Sequence, residues 1–251
     1  MREMSIAPCW LARIQPLRAL FLQEINAQVR YDAAHTRPGS KPYIIRRNMR
    51  DIGYGSVKDM QSGGGTIFEF YLLPAFRRDA AALLRELVQT SKADALECQS
   101  NDRFYAALVQ SSCSSLTCDT ILYGAPGELS ELPSAGAVFR RRRRTDRIFR
   151  HEVEPVGDFV VDVRGEVVAT GGFLLHYNPP FADLFMEVRP DARRRGYGAF
   201  LVRHLIGECY LAGRVPAART GVDNVASQAT LRKAGLVECG RMLRGSAPIS
   251  G

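Results

Sequence analysis

The stretch EVRPDARRRGYGAFLVRHL, residues 187–205, begins as a buried strand, turns at Pro190 and ends as an amphipathic helix. Where strand hands over to helix stand Arg193, Arg194 and Arg195, then Gly196, Tyr197 and Gly198. The first N–H groups of a helix have no intrahelical partner and carry partial positive charge. Glycines there let a phosphate approach the backbone, and arginines add charge-assisted bonds. The spacing is neither GxxxxGK[ST] nor GxGxxG, so ATP and dinucleotides are disfavoured and a pyrophosphate held by amides and arginines is favoured.

Elements flank this turn on both sides. Upstream, residues 158–177 give two strands around an Arg-Gly turn. Downstream, PAARTGV reads as a strand and ASQATLRKAG as a helix closed by Gly235. The first half runs in the same order: a helix over 17–31 after Pro16, two strands within 42–57, a strand over 66–74 and a helix over 79–89. A strand and a helix follow within 93–110.

A shift of 116 places Tyr43, Ile44 and Ile45 on Phe159, Val160 and Val161, and Gly55 on Gly171. It also places Pro74 on Pro190, and Arg77 and Arg78 on Arg193 and Arg194. One offset held over some forty residues points to a duplicated unit. Opposite Gly196, Tyr197 and Gly198 the first copy has three alanines, Ala80, Ala81 and Ala82. The Gly/Pro/Ser-rich residues 124–137 read as a connector. Expected domains are therefore 1–130 and 131–251, two lobes packed together. The fold class is α/β, with mixed, mainly antiparallel sheets flanked by helices. The second copy lacks room for the helix that precedes the first copy's hairpin.

With 46% hydrophobic and 24% charged residues the chain can build a core as a globular protein does. No apolar run is long enough for a membrane span, and the first twenty residues lack a signal-peptide core, so a cytoplasmic protein is expected. Six scattered cysteines form no CxxC pair, and no metal is expected. The net charge of +8 draws polyanions. Much of it sits in residues 193–195 and in the five arginines at 140–144. The second run reads as a solvated strand end, as a site for an anion or nucleic acid, or as a localisation signal. No aromatics interleave with it, which disfavours single-strand recognition.

Arg193 to Gly198 match the R/Q-x-x-G-x-G/A signature of the GNAT superfamily of N-acetyltransferases, and the chain resembles that family over residues 138–246. Val188-Arg189-Pro190 is similar to the V-x-P that ends its fourth strand. Asn224-x-x-Ser227, with Leu231-x-Lys233-Ala234-Gly235-Leu236, is similar to its last motif. The whole chain looks like a tandem GNAT protein whose N-terminal lobe is degenerate.

The resemblance implies transfer of acetyl from acetyl-CoA directly to an amine, with no metal. It assigns the CoA pyrophosphate to Arg193, Arg194, Arg195, Gly196, Tyr197, Gly198 and Ala199, and the pantetheine arm to the main chain of Met186, Glu187 and Val188. Asn224 and Ser227 would lie beside the cofactor. A carboxylate on the fourth strand, Glu187 or Asp183, would act as base, against the alternative of a solvated or structural acid. His176, Tyr177 and Phe181 would line the acceptor site. Where many members carry a general-acid tyrosine, this chain has Leu231, leaving Tyr210, Cys209, Cys239 or water for that task. The acceptor is a small molecule or peptide amine, and no acidic cluster to attract polyamines is visible. Membrane and nucleic-acid partners are disfavoured, and a monomer or homodimer is expected. The alternatives are a non-catalytic CoA-binding or sensing module and a basic nucleic-acid-binding relative.

Overall fold

The computed structural model describes residues 4–29, 34–35, 39–60, 64–124, 132 and 136–247. Most of the expected connector at 124–137 lies outside them. The chain divides into two compact units, Met1–Asp119 with Gly240–Gly251, and Thr120–Cys239. Beside the boundary expected after residue 130, the units trade end strands: a late strand completes the first unit, and an earlier one completes the second.

In the first unit the strands β1 (Met4–Pro8), β2 (Lys41–Arg47), β3 (Arg50–Lys58), β4 (Thr66–Leu72) and β5 (Ala95–Gln99) lie side by side in that order. The chain's last strand, β12 (Val237–Ser246), continues the sheet by pairing Met242–Ser246 antiparallel with β5. Asn48 and Met49, both at positive φ, make the tight turn between β2 and β3. One face of the sheet carries α2 (Ala80–Ser91) and α3 (Arg103–Ser112), which bury Leu84, Leu87, Tyr105 and Val109 against Ile67, Phe70 and Leu72. The other face carries α1 (Leu11–Ile25), whose Ile14, Leu17 and Phe21 pack on Ile44, Tyr54 and Tyr71. This helix starts six residues before the expected position, and Pro16 lies inside it. The apolar stripe at 14, 17 and 21 outweighs the one backbone bond the proline ring removes.

The second unit orders its strands β7 (Ala137–Arg141), β8 (Phe159–Val163), β9 (Glu166–Leu174), β10 (Phe181–Val188), β11 (Val215–Gly221) and β6 (Thr117–Gly124), whose residues from Thr120 onward pair with β11. Under α4 (Tyr197–Leu211) and α5 (Val225–Lys233) lies its core, including Val161, Leu184, Leu201, Leu205, Ile206 and Leu231. Among the described residues of this unit no helix precedes β8. Residues 142–158 run as an irregular strap between β7 and β8. Both units are mixed α/β with mainly antiparallel sheets.

The duplication survives in atomic detail. The hairpin register slips between Ile45 and Arg46 in one unit and between Val161 and Asp162 in the other, 116 residues on. The amide of Leu73 donates to Ile52 O at 2.9 Å, and the amide of Arg189 donates to Val168 O at 2.9 Å. Arg77 Nε donates to Leu72 O and Arg193 Nε to Val188 O, each at 3.1 Å. Bulges and side-chain bonds to a specified carbonyl are not generic to strand–helix units, so agreement at one offset means a shared template.

Candidate active site

Strand β10 builds the site by pairing fully on one side only. Its whole length from Asp183 to Val188 is hydrogen-bonded to β9, whereas its parallel pairing with β11 covers only Phe181, Ala182 and Asp183. Beyond Asp183 the β10–β11 ladder stops, while β11 from Ala218 onward is paired on its other edge with β6. The β11-facing edge of residues 184–188 therefore has no ladder partner among the described residues. Buried backbone groups need partners, so such an open edge accepts an extended ligand as an added strand. Met186, Glu187 and Val188, the residues whose main chain the resemblance assigns to the pantetheine arm, sit on this edge.

The turn at the end of β10 points amides outward. A 3-10 turn at Pro190–Ala192 leads into Arg193, then Arg194 at φ 64° and Gly196 at φ 87°. Left-handed residues interleaved with ordinary ones turn successive N–H groups to one side, an anion-binding nest. Helix α4 starts immediately after Gly196, with no side-chain cap and no acidic residue in its first turn. The N–H groups of Tyr197, Gly198 and Ala199 thus lack intrahelical acceptors. Arg194 and Arg195 are exposed. These features fit a pyrophosphate.

The glycines divide the labour differently from expectation. Gly196 supplies the positive φ. Gly198 is buried, and a Cβ on it would lie 3.1 Å from Thr230 Cγ2 and 3.3 Å from Val188 Cγ2. It lets α4 close on α5 and β10. Lys233 was not among the expected site residues. Its Nζ would lie 3.8 Å from a Cβ on Gly196, placing another cation beside the cradle. The Lys-Ala-Gly ending of α5 carried that signal.

Asn224 is exposed and caps α5, its Oδ1 accepting from Ser227 N at 3.0 Å. The expected Asn/Ser pair is thus brought together as a helix cap beside the diverging strands.

On the face of β10 away from the core lie Phe181, Asp183, Phe185 and Glu187. Glu187 is buried and accepts three backbone bonds from the strap: Glu152 N at 2.8 Å, Val153 N at 3.1 Å and Glu154 N at 2.9 Å. Burial alone pushes its carboxyl up, but these three donors together pull it lower, below the ordinary glutamate range. Both oxygens are occupied, and the group is held ionised. His151 stacks on Phe149 and bridges Glu154 O at 2.9 Å and Thr170 Oγ1 at 3.1 Å. The same Thr170 hydroxyl accepts from Gly157 N at 3.3 Å.

Asp183 is buried, with His176 Nε2 at 2.9 Å and Arg219 Nε at 4.0 Å from its Oδ2. Tyr177 is buried edge-on against His176. The expected acceptor residues His176, Tyr177 and Phe181 thus gather around Asp183. Of the groups open to the role of general acid, Cys209 is sealed in the core with its thiol pushed up to about 11 by burial. Tyr210 is half-exposed on the last turn of α4, and Cys239 is exposed. Leu231 is buried in the core.

Three of the five arginines in the run, Arg140 to Arg142, make side-chain contacts within the unit, and Arg141 to Arg144 are exposed. Arg140 bridges Asp146 and Asp162 at 2.8 and 2.7 Å. Arg142 Nε donates to Gly157 O at 3.0 Å, and Arg141 lies over the Phe159 ring. These contacts tie β7 and the strap to β8. Among the described residues no group of three or more His, Cys, Asp or Glu is placed to hold a metal, and no helix is long and apolar enough to cross a membrane.

A strand that diverges from its parallel neighbour, followed by an outward-facing arginine-glycine turn into a helix, defines a GNAT fold. Residues 128–236 match the family model described as "Acetyltransferase (GNAT) family". Solved structures extend the similarity to the whole chain. An acetyltransferase of the GNAT family from Colwellia psychrerythraea matches with a TM-score of 0.73 and 17% identity, over 97% of this chain and 99% of that one. A GCN5-related N-acetyltransferase from Sphaerobacter thermophilus matches at 0.60 and 13%, over 99% and 98%. A tandem GNAT protein from the clavulanic acid biosynthesis pathway matches at 0.54 and 13%, over 99% and 100%. No curated protein matches the sequence significantly.

Proposed function

We propose that this chain is an acyl-CoA-dependent N-acetyltransferase, expected in the cytoplasm, whose second unit binds acetyl-CoA and passes the acetyl group directly to an amine. One observation carries the proposal: the open edge of residues 184–188 leads straight into a turn of outward amides and the exposed Arg194 and Arg195. Arg193, Arg194, Arg195 and the amides through Ala199 hold the pyrophosphate, and the main chain of Met186, Glu187 and Val188 pairs with the pantetheine. Asn224 and Ser227 flank the same gap. Acetyl-CoA supplies the activated acyl group. The protein's own residues orient it, receive the amine beside Asp183, Glu187, His176, Tyr177 and Phe181, and remove the amine's proton.

The first unit is read as a degenerate copy that binds no cofactor. At the start of its α2 stands Asp79, 116 residues before Arg195, and a carboxylate there repels the anion that a helix N-terminus would attract. A second reading, a CoA-binding module without turnover, draws on Leu231, which leaves no tyrosine at the family's general-acid position.

Thiol release from acetyl-CoA over a panel of amines decides between them. Amine-dependent release, lost in Arg194→Glu/Gly196→Asp, is expected. Tight CoA binding without release on any amine would favour the module, and no binding would overturn both.

A further inference from the structure

Three carboxylates from two separate stretches of the chain meet at the outer face of β10. Glu187 and Asp183 belong to the strand, and Glu154 comes from the strap thirty residues earlier. Glu154 is fixed by its main chain, whose N–H donates to Glu187 Oε2 and whose carbonyl meets His151 Nδ1, both at 2.9 Å. Its side chain is half-buried and, among the described residues, takes no hydrogen bond. Glu187 is the reverse: its carboxylate takes one backbone donor on Oε1 and two on Oε2, which hold it ionised and engaged with the strap. Asp183 is already shared between His176 and Arg219. Of the three, Glu154 is the one whose side chain takes no hydrogen bond among the described residues, whereas the carboxylates of Glu187 and Asp183 are engaged.

The rim around this acidic floor is apolar and open to solvent. Val153, whose amide touches Glu187, is 84% exposed. Val156 in the strap, Leu174 opposite Asp183 and Leu175 beside it are also exposed. Isolated exposed aliphatics need no explanation, but four around one acidic floor form a patch with a chemical bias.

We propose that the acceptor is a cationic amine carried on an apolar body, and that Glu154 is the catalytic base that receives the ammonium proton. This rests on the acetyltransferase function proposed above. The apolar body lies on Val153, Val156, Leu174 and Leu175, and the ammonium faces Glu154. Glu154 takes one ammonium proton. The freed nitrogen lone pair then forms the C–N bond as the thioester C–S bond breaks. A second nitrogen proton ends on the departing thiolate and the proton on Glu154 goes to water, so ammonium and thioester give amide, free thiol and one proton.

The charges around Glu154 suit the role. Burial pushes its carboxyl up, Asp183 and Glu187 push it further in the same direction, and His151 opposes them. Glu152, its neighbour in the strap, points instead to Arg193 at 3.4 Å. His176 and Arg219 face Asp183 and soften its charge. A base poised closer to neutrality than an ordinary glutamate transfers protons more effectively. Glu187 is then a positioning residue, since it holds the strap segment that presents Glu154.

The test uses the full chain in two measurements. Rates of acetylation are compared for 2-phenylethylamine and hexylamine against spermidine, in wild type and Glu154→Gln, across pH, with acetyl-CoA affinity measured alongside. The expected result is a preference for the two apolar amines. Glu154→Gln is expected to lower kcat about 10²–10⁴-fold, lose the acid limb of the profile and leave acetyl-CoA affinity unchanged. Separately, a carbon-13 titration of glutamate side-chain carboxyls without cofactor should show one resonance, absent in Glu154→Gln, with its midpoint above the ordinary glutamate value. Asp183→Asn should lower that midpoint.

Turnover that keeps its rate and acid limb in Glu154→Gln would overturn the proposal while leaving the acetyltransferase intact. So would a preference for spermidine, or a midpoint at or below the ordinary value. Failure of the wild type to bind acetyl-CoA, or to acetylate any amine, would remove the acetyltransferase reading and this proposal with it.

Discussion

The two strand-to-helix turns, 116 residues apart, share a template and differ in what they leave open. In both, an arginine bonds the last strand carbonyl at the same 3.1 Å. In both, the parallel pairing of the central strand stops early, at Ile67 in the first unit and Asp183 in the second. The last helix in each is capped by an Asx oxygen that accepts from the amide three residues on, Asp102 from Tyr105 N and Asn224 from Ser227 N, both at 3.0 Å.

The first unit then closes what the second leaves accessible. Tyr105, fully buried, sends its hydroxyl to Ile67 O at 2.9 Å, where the strands begin to part. Arg77 is consumed by Leu72 O, by Glu24 at 2.6 Å and by the rings of Phe104 and Tyr71. Its 3-10 turn runs directly into α2, without the left-handed residues that open the cradle around Gly196. A fold fixes where a ligand site can form, and a few side chains decide whether it does.

The sharpest way to break this comparison is to exchange the charge at one turn at a time. Arg194→Glu/Gly196→Asp is expected to weaken acetyl-CoA binding more than a hundredfold, because it puts two negative charges at a helix N-terminus and strains a position at φ 87°. Arg78→Glu, at the matching place in the first unit, should leave the affinity unchanged in the same calorimetric titration.

The units also differ in how they treat a carboxylate on the central strand. Glu69 is fully buried with Arg18 Nε at 3.1 Å, His35 Nε2 at 3.1 Å and Tyr54 Oη at 3.0 Å. Burial pushes its carboxyl up, but His35 and Arg18 outweigh this and bring it down to about 2. Arg18→Met removes the guanidinium from that buried charge, leaving only His35 and Tyr54 beside it, and should cost about 3–5 kcal/mol in denaturant unfolding. A depressed folded-state value means that the stabilisation is complete above the ordinary glutamate range. It fades as pH falls toward about 2, so wild type and Arg18→Met should converge in stability at acid pH.

Glu187→Gln, in the second unit, removes an ionised acceptor from three strap amides. It should cost roughly 2 kcal/mol and raise strap amide exchange at 152–154, with acetyl-CoA affinity retained. The smallest effect belongs to Gly198→Ala. Its new Cβ would crowd Thr230 and Val188, whereas alanine stands exposed at the matching position 82, so a loss of about 1 kcal/mol is expected by thermal unfolding.

The turn, its two flanking elements and the duplication were legible in the sequence because each is local or periodic. Residues that share a turn must be neighbours in the chain, and a repeat needs only a constant offset. The end strands β1, β6 and β12 were not anticipated. In β12 every residue is exposed or half-buried, so no apolar alternation marks it, and its partner β5 lies some 140 residues away. The acidic floor was hidden in part for the same reason. Asp183 and Glu187 share β10 and were legible, but Glu154 lies some thirty residues earlier and meets them only because the strap folds back on that strand. The sequence did show that the helix was missing, without showing what filled its place.

The most direct test of the central claim is the stoichiometry of acetyl-CoA binding to the purified full chain by calorimetry. One site per chain, lost in Arg194→Glu/Gly196→Asp, is the predicted result. Two sites, or one that survives those substitutions, would contradict the assignment of the working cradle to the second unit.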